Sequence, residues 1–219
     1  MSKFRFAFIL GAAIFVLMGC VGGSTPEEDV YKVLEETVAK ESQYEKVQKP
    51  LQELEEKEQE IYTKIMDLGM KEFDQIVKLS DEALDNIDKR KENIEKERES
   101  MSAAKKEFAK ADEYIDELES DDLKKDAKKL KQTMEERYQL HEKLTTSYLE
   151  ALSLDKELYN MFKKKDLTME DLEKQISSIN EQYDKIVKFN GDYNAKTEEF
   201  NKLKQEFYSK AELDVKESE

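Results

Sequence analysis

The sequence predicts an all-α protein, a long antiparallel up-and-down bundle of four helices with coiled-coil-like packing. Of its 219 residues, 41% are charged and 38% are apolar, whereas a typical globular domain has about 25% and about 45–50%. So few apolar side chains suffice for narrow stripes between long helices. Turn-forming residues are also scarce, because the only prolines and glycines after Ser24 are Pro26, Pro50, Gly69 and Gly191. A sheet protein needs more turns than these supply.

Residues 1–19 have the three parts of a signal peptide. Lys3 and Arg5 precede an uninterrupted apolar stretch at 6–16. This stretch is shorter than the roughly 20 residues that span a membrane, but it has the length of a signal-peptide core. It leads into the only cysteine of the chain, through Leu17, Met18, Gly19 and Cys20.

These four residues resemble the lipobox of bacterial lipoproteins, which has Leu three residues and a small residue one residue before the cysteine. The resemblance implies cleavage before Cys20 and a diacylglyceryl group, with fatty acids such as palmitate, on its sulfur. Two acyl chains give stable anchoring, and residues 20–25 would form a flexible tether. The residues alone leave two alternatives, an uncleaved leader with a free thiol and a packed cysteine.

The first predicted helix starts at a capping box. Thr25 is the cap, Pro26 suits the first helical position and Glu28 stands three residues after the cap. Apolar residues then recur every three or four positions as far as Leu68. This spacing keeps its phase across Pro50, which predicts a helix kinked at the proline and not a loop.

Three further helix starts follow. The second is predicted at Ser80, where Leu79 and Leu84 have hydrophobic-staple spacing, and the third at Ser120. The fourth is predicted at Thr168 with Asp171 three residues on, and we expect a local break in it at Gly191.

Several points stay open from spacing alone. Asn190 could instead fix the helix register, and residues 50–118 could form one very long helix of a three-helix bundle. The short connections at 119–121 and 164–168 favour antiparallel neighbours. The predicted bundle spans 26–213, and 214–219 form a polar tail.

A lipobox, about 200 mature residues, no tryptophan and Lys/Glu-rich heptads throughout resemble the YkyA-like cell-wall-binding lipoproteins of Gram-positive bacteria. The resemblance covers residues 1–219. It implies a long helical bundle held at the extracytoplasmic face of the cell membrane, and association with the cell wall.

No residue pattern predicts catalysis, a cofactor or a metal site. Nucleophilic mechanisms pair Ser or Cys with a base, whereas His141 is the only histidine. Di-metal bundles use two Glu-x-x-His segments, and a second histidine does not exist. We expect His141 to be a partly buried side chain at the core edge. The acidic run 53–60 is predicted to be a solvated face, and most tyrosines are predicted to lie at core edges, with a sugar-stacking surface as the alternative.

The charge of the chain excludes one class of partner. Removing Lys3 and Arg5 from 37 basic residues leaves 35 against 52 acidic residues, a net charge of −17. Nucleic-acid binding depends on cationic contacts to phosphates, so none is expected.

A lysine cluster lies at the start of the third helix, and Lys105, Lys106 and Lys110 lie late in the second. Both fall near the bundle end closest to residue 20. The cluster could contact anionic lipid headgroups or teichoic acid, or pair with carboxylates at i,i+4. Its members are Lys124, Lys125, Lys128, Lys129 and Lys131.

The sequence therefore predicts a lipid-anchored, non-enzymatic extracytoplasmic protein that associates with the cell wall or envelope, through peptidoglycan or teichoic acid. An extracytoplasmic chaperone or a partner subunit of a membrane complex is the alternative. Self-association through leftover apolar stripes stays open.

Overall fold

A computed structural model describes residues 24–68 and 72–213. Within them the chain forms six helices and no strand, and the long antiparallel helical bundle that the sequence predicted is confirmed. The helices are α1 (Pro26–Lys40), α2 (Ser42–Asp67), α3 (Phe73–Phe108), α4 (Ala111–Glu117), α5 (Asp121–Phe162) and α6 (Met169–Lys210).

The six helices make four rods. α1 and α2 form the first rod, α3 and α4 the second, and α5 and α6 are one rod each. Each rod packs against its neighbour in the chain. α5 and α6 contain 42 residues each, which gives a length of about 60 Å at 1.5 Å per residue.

Three predicted helix starts are confirmed by their caps. Thr25 forms the full capping box with Glu28. Ser120 Oγ accepts a hydrogen bond from the Leu123 amide at 3.4 Å, and Thr168 Oγ1 accepts one from the Asp171 amide at 3.2 Å. Each cap satisfies an amide that has no partner within the helix.

The predicted start at Ser80 is wrong, because α3 begins at Phe73. Ser80 lies inside α3, fully buried, and its hydroxyl donates to the Ile76 carbonyl at 2.8 Å. A serine whose hydroxyl donates to a carbonyl of its own helix can lie inside that helix and need not mark its start. One helix over 50–118 is wrong as well, since α2 ends at Asp67 and Leu68 is extended.

The first rod contains a break that the sequence did not predict. α1 ends at Lys40 and α2 begins at Ser42, so Glu41 caps both helices. At Pro50, in contrast, α2 continues as predicted. Val47 and Leu51 are buried on either side of the proline, and this packing holds the helix together despite the missing amide donor.

The break predicted at Gly191 is wrong, because α6 is continuous from Met169 to Lys210. A Cβ atom at Gly191 would meet no atom within 4 Å. The glycine is therefore a surface position within a helix, and it marks neither a turn nor a close approach.

The bundle has two apolar cores, one toward each end of its long axis. The near end, which contains Thr25, is filled by side chains such as Leu34, Phe108, Leu130 and Phe207. The far end, which contains Leu68, is filled by side chains such as Ile61, Ile87, Leu158 and Leu172. Most tyrosines lie in or beside these cores, as the sequence predicted.

Candidate functional site: a polar layer and cleft in the middle of the bundle

The middle of the bundle holds buried charges in three centres. The first is Arg137 of α5, which is 2% exposed. Its Nη1 and Nη2 donate to the two carboxylate oxygens of Glu41 at 2.7 and 2.8 Å. Nη2 also donates to Tyr193 Oη at 2.6 Å and Nε to Thr197 Oγ1 at 2.9 Å. The break between α1 and α2 places Glu41 where this two-pronged contact can form.

The second centre joins His141 and Glu97. His141 Nε2 lies 2.7 Å from Glu97 Oε1, and Gln48 Nε2 donates to Glu97 Oε2 at 3.1 Å. His141 was expected at the core edge and only partly buried. It is fully buried, because the side chain faces into the bundle, where Glu97 provides a polar partner.

The third centre surrounds Arg90 of α3, which is 1% exposed. Nε donates to Tyr148 Oη at 2.9 Å, Nη1 to Glu58 Oε2 at 3.0 Å and Nη2 to Tyr183 Oη at 3.0 Å. Burial raises the pKa of Tyr148, so its hydroxyl stays protonated. It can then accept from Arg90 and donate to Glu55 Oε1 at 2.6 Å.

Three carboxylates face this one guanidinium. Besides Glu58, Arg90 has Asp155 Oδ2 and Glu55 Oε1 at 3.7 Å each. Burial, followed by the charge of Glu58, raises the pKa of Asp155 to about 7. The centre thus holds more negative charge than the single arginine can neutralise.

Asp155 makes the stability of the bundle depend on pH. Because its pKa is higher in the folded chain than in the unfolded chain, the folded state binds the proton more tightly. The free energy of unfolding should therefore fall as pH rises from about 4 through about 7. We expect Asp155→Asn to flatten this slope and to raise stability at pH 8 by about 2–4 kcal/mol. Urea unfolding followed by circular dichroism at pH 5 and 8 measures both effects.

Asp88→Asn is the matched control for this prediction. Asp88 lies on α3 with its side chain 63% exposed and pairs with Lys156 at the surface. Its replacement should leave the pH dependence unchanged. If Asp155→Asn lowered stability equally at both pH values, the Asp155 prediction would be wrong.

Part of the predicted acidic face lies in this centre. Glu53, Glu56 and Glu60 are exposed as expected. Glu55 and Glu58 are not fully solvated, because they are half-buried against Arg90. For these two residues the prediction is wrong, because they lie on the face of α2 that packs against α3.

A cleft opens beside the second and third centres. It is lined by α2, α3, α5 and α6 and has a volume of about 280 Å³. Its apolar lining includes Leu51, Ile94 and Ile186, and its polar lining includes Gln48 and Asn190. We call it the central cleft. Its lining also includes the charged side chains of Glu45, Lys49, Glu55 and Glu97, whereas small-molecule sites typically have only a few polar groups.

The lysine cluster lies at the near end, as the sequence predicted from the antiparallel order. Lys124 Nζ donates to the Asp116 carbonyl at 2.6 Å, and Lys128 pairs with the Asp116 side chain at 4.0 Å. Lys131 pairs with Asp112 at 2.6 Å and with Glu135 at 3.7 Å. Most of these contacts cross between α4 and α5 and are not the i,i+4 pairs of the alternative interpretation.

Lys125 and Lys129 are exposed and form no ion pair with the part of the chain that the structure describes. They leave two uncompensated cations at the near end. Cys20 and the preceding Leu17, Met18 and Gly19 lie outside the described residues.

Residues 24–68 and 72–213 contain neither a candidate metal site nor a candidate membrane span. No group of three or more His, Cys, Asp or Glu side chains there could hold a metal ion. No helix in the same residues is long and apolar enough to cross a membrane.

The comparison with protein families matches residues 25–210 to YkyA, "Putative cell-wall binding lipoprotein". The chain belongs to the YkyA family. A relative, "Uncharacterized lipoprotein YkyA" of Bacillus subtilis (strain 168), is 36% identical over 207 residues, or 94% of this chain and 92% of the relative. The family that the sequence resembled is therefore confirmed.

The fold of this YkyA-family protein also has a solved counterpart. A crystal structure of a conserved protein of unknown function from Staphylococcus aureus matches it with a TM-score of 0.75 at 22% identity. The match covers 85% of this chain and 97% of that one. It shows that the two proteins share a fold.

Proposed function

We propose that this YkyA-family protein is a lipid-anchored, non-enzymatic bundle at the extracytoplasmic face of the cell membrane that associates with the cell wall. The family match supports the lipoprotein assignment, and Cys20 supplies the attachment site. The buried charged side chains Arg90, Arg137 and His141 pair with carboxylates of the same interior, which supports a structural role for them. The observation that carries the wall contact is the pair of uncompensated cations, Lys125 and Lys129, at the near end.

The lipid anchor is tested in the producing cell. Cys20→Ala should abolish incorporation of labelled fatty acid and shift the protein out of the membrane fraction, because the sulfur is the proposed attachment atom. Cys20→Ser is a second variant without the thiol. Equal labelling of the wild type and both variants would refute the anchor.

The lysine cluster positions basic groups beside the anchor, where anionic headgroups and wall polymers lie. Each well-placed cation contributes about 1 kcal/mol at low salt. The overall charge of −15 opposes loose adhesion elsewhere on the surface, so contact with an anionic polymer would be confined to this end.

Replacing the five clustered lysines with glutamine should weaken co-sedimentation of the bundle with walls that carry teichoic acid by at least about tenfold at low salt. Walls stripped of teichoic acid should show a smaller difference. The control replaces five exposed lysines of α2 and α3, Lys57, Lys64, Lys89, Lys91 and Lys96. Binding that is equal in both variants and insensitive to salt would contradict the lysine contact.

The alternative, a chaperone or a partner subunit of a membrane complex, has one observation in its favour. Met66 and Met169 are 47% and 67% exposed near the far end, and methionine adapts to varied apolar partners. Absence of wall binding, together with a protein crosslinked to the far end in cells, would favour this function.

A further inference from the structure

We propose that the gap between α2 and α6 at the far end of the bundle binds a basic amphipathic helix of another protein. We call this gap the far seam. It runs from the central cleft to Met66 on α2 and Met169 on α6. The inference goes beyond the proposed wall association, which involves the near end.

The first and fourth rods are bridged at the near end but not along the far seam. At the near end, Glu35 of α1 accepts hydrogen bonds from Lys204 Nζ at 3.2 Å and from Tyr208 Oη at 2.9 Å, both on α6. In the far half, α2 packs on α3 and α6 packs on α5. No hydrogen bond or ion pair joins residues 51–67 of α2 to residues 169–187 of α6. A further helix can therefore bind there without breaking a polar contact.

The far seam is bordered by the three large apolar side chains that the structure leaves exposed among the described residues, Met66, Met169 and Val187. Met66 follows Glu55, which lines the central cleft, by 11 residues, or about three helical turns. Val187 and Met169 precede Asn190, which also lines the cleft, by 3 and 21 residues. Helical spacing thus places all three on the faces that border the seam.

Half-buried apolar side chains make this strip continuous. Tyr62 lies on α2, and Ile176 and Tyr183 lie on α6 at spacings of seven residues from Met169. From Met169 to Val187, α6 rises about 27 Å at 1.5 Å per residue. That length matches the apolar face of one helix of about 18 residues, which would bind by the helix-in-groove mode.

Unpaired carboxylates flank the strip. Glu173 follows Met169 by four residues, and Asp184 precedes Val187 by three, so both lie beside the strip on α6. Glu45 of α2 lines the central cleft, where the seam begins. All three carboxylates are exposed and form no ion pair within residues 24–68 and 72–213.

These charges select a basic partner. Two lysines near the strip are already paired within their own helices, Lys188 with Asp192 at 2.9 Å and Lys49 with Glu53 at 3.8 Å. An anionic lipid surface, or a second copy of this chain with its net charge of −15, would bring like charges to the seam. A helix with Lys or Arg beside its apolar face would instead pair with the free carboxylates.

The test uses the full-length protein anchored in nanodiscs of phosphatidylcholine, a neutral lipid. The probe is a labelled synthetic helix of about 20 residues, with leucine at every third or fourth position and lysine on both flanks. Fluorescence anisotropy should show saturable binding with a Kd on the order of 10 μM that weakens with added salt. Empty nanodiscs give the lipid background, and a scrambled peptide without an apolar face should not bind.

The apolar strip is tested by combining Met66→Gln, Met169→Gln and Val187→Thr. These positions are exposed, so the circular dichroism spectrum should be unchanged while the peptide binds at least about tenfold more weakly. No saturable binding by the wild type, or equal binding by this variant, would overturn the proposal.

The charges are tested by Glu173→Gln combined with Asp184→Asn, which should weaken binding about threefold and reduce its dependence on salt. Glu142→Gln combined with Glu157→Gln is the matched control. It removes two exposed carboxylates of α5 that have no ion pair among the described residues, and it should bind as the wild type does. Equal weakening by both pairs would mean unspecific attraction to an acidic chain and would overturn the proposal.

Two further measurements separate other outcomes. If sedimentation showed a dimer that the apolar-strip variant abolishes, the seam would be an interface between copies and the proposal would be wrong. The variant with all five clustered lysines replaced should bind the peptide as the wild type does, because that cluster lies at the near end. Wall association and peptide binding can therefore fail independently.

Discussion

Arg137→Met is expected to destabilise the bundle by about 3–5 kcal/mol, because it leaves the Glu41 carboxylate buried without its partner. Glu41 is 6% exposed and Arg137 is 2% exposed, so water cannot replace the guanidinium. The substitution also removes the donors to Tyr193 and Thr197. Urea unfolding at pH 7, followed by circular dichroism, measures the loss as a lower midpoint with an unchanged slope.

Two further variants identify the cause of this loss. Glu41→Leu combined with Arg137→Met removes both charges and should recover most of the stability, since apolar residues often replace a buried pair without loss. Arg98→Met is the matched control, because Arg98 is half-exposed and has no ion pair within the described residues. It should cost less than about 1 kcal/mol. A double variant no more stable than Arg137→Met would contradict a charge-based explanation.

Helix starts were predictable where capping residues precede an apolar stripe. Thr25, Ser120 and Thr168 each cap a helix by accepting a hydrogen bond from the amide three residues further on. Ser80 has the same local sequence features but lies in mid-helix. Tertiary packing makes the difference, because it buries Ser80, whose hydroxyl then donates to a carbonyl of the preceding turn.

The polar layer was not predicted, although the sequence contains a signal for it. Arg90 follows Ile87 by three residues and precedes Ile94 by four, so it lies on the apolar stripe of its helix. Arg137 follows Met134 by three in the same way. In a chain this rich in lysine, an arginine on the buried stripe indicates a buried ion pair.

The identity of the partners required the tertiary structure. Glu41 meets Arg137 across 96 positions of the chain, and the break at Glu41 has no proline or glycine to mark it. Glu55 and Glu58 stand among several similar carboxylates of the acidic run. Only the way α2 packs on α3 decides which of them point inward.

The pH dependence of an Arg90 variant follows from the charges around that residue. Arg90→Met should destabilise the bundle by about 3–5 kcal/mol at pH 8, where Glu55, Glu58 and Asp155 are left facing one another. At pH 5 we expect a smaller loss, because Asp155, whose pKa burial already raises to about 7, is protonated there and adds no negative charge to the unpaired centre. Arg137→Met, which leaves a single carboxylate, should depend less on pH.

Asp155→Asn added to Arg90→Met removes one of the three negative charges and should restore part of the stability at pH 8 but little at pH 5. The measurement is the free energy of unfolding of wild type, single and double variants at both pH values. The comparison separates charge from packing, because a cavity left by the shorter side chain would cost the same at pH 5 and pH 8. If the loss of stability were independent of pH, Arg90 would stabilise the bundle by filling space. Its charge would then not be needed to offset the three carboxylates.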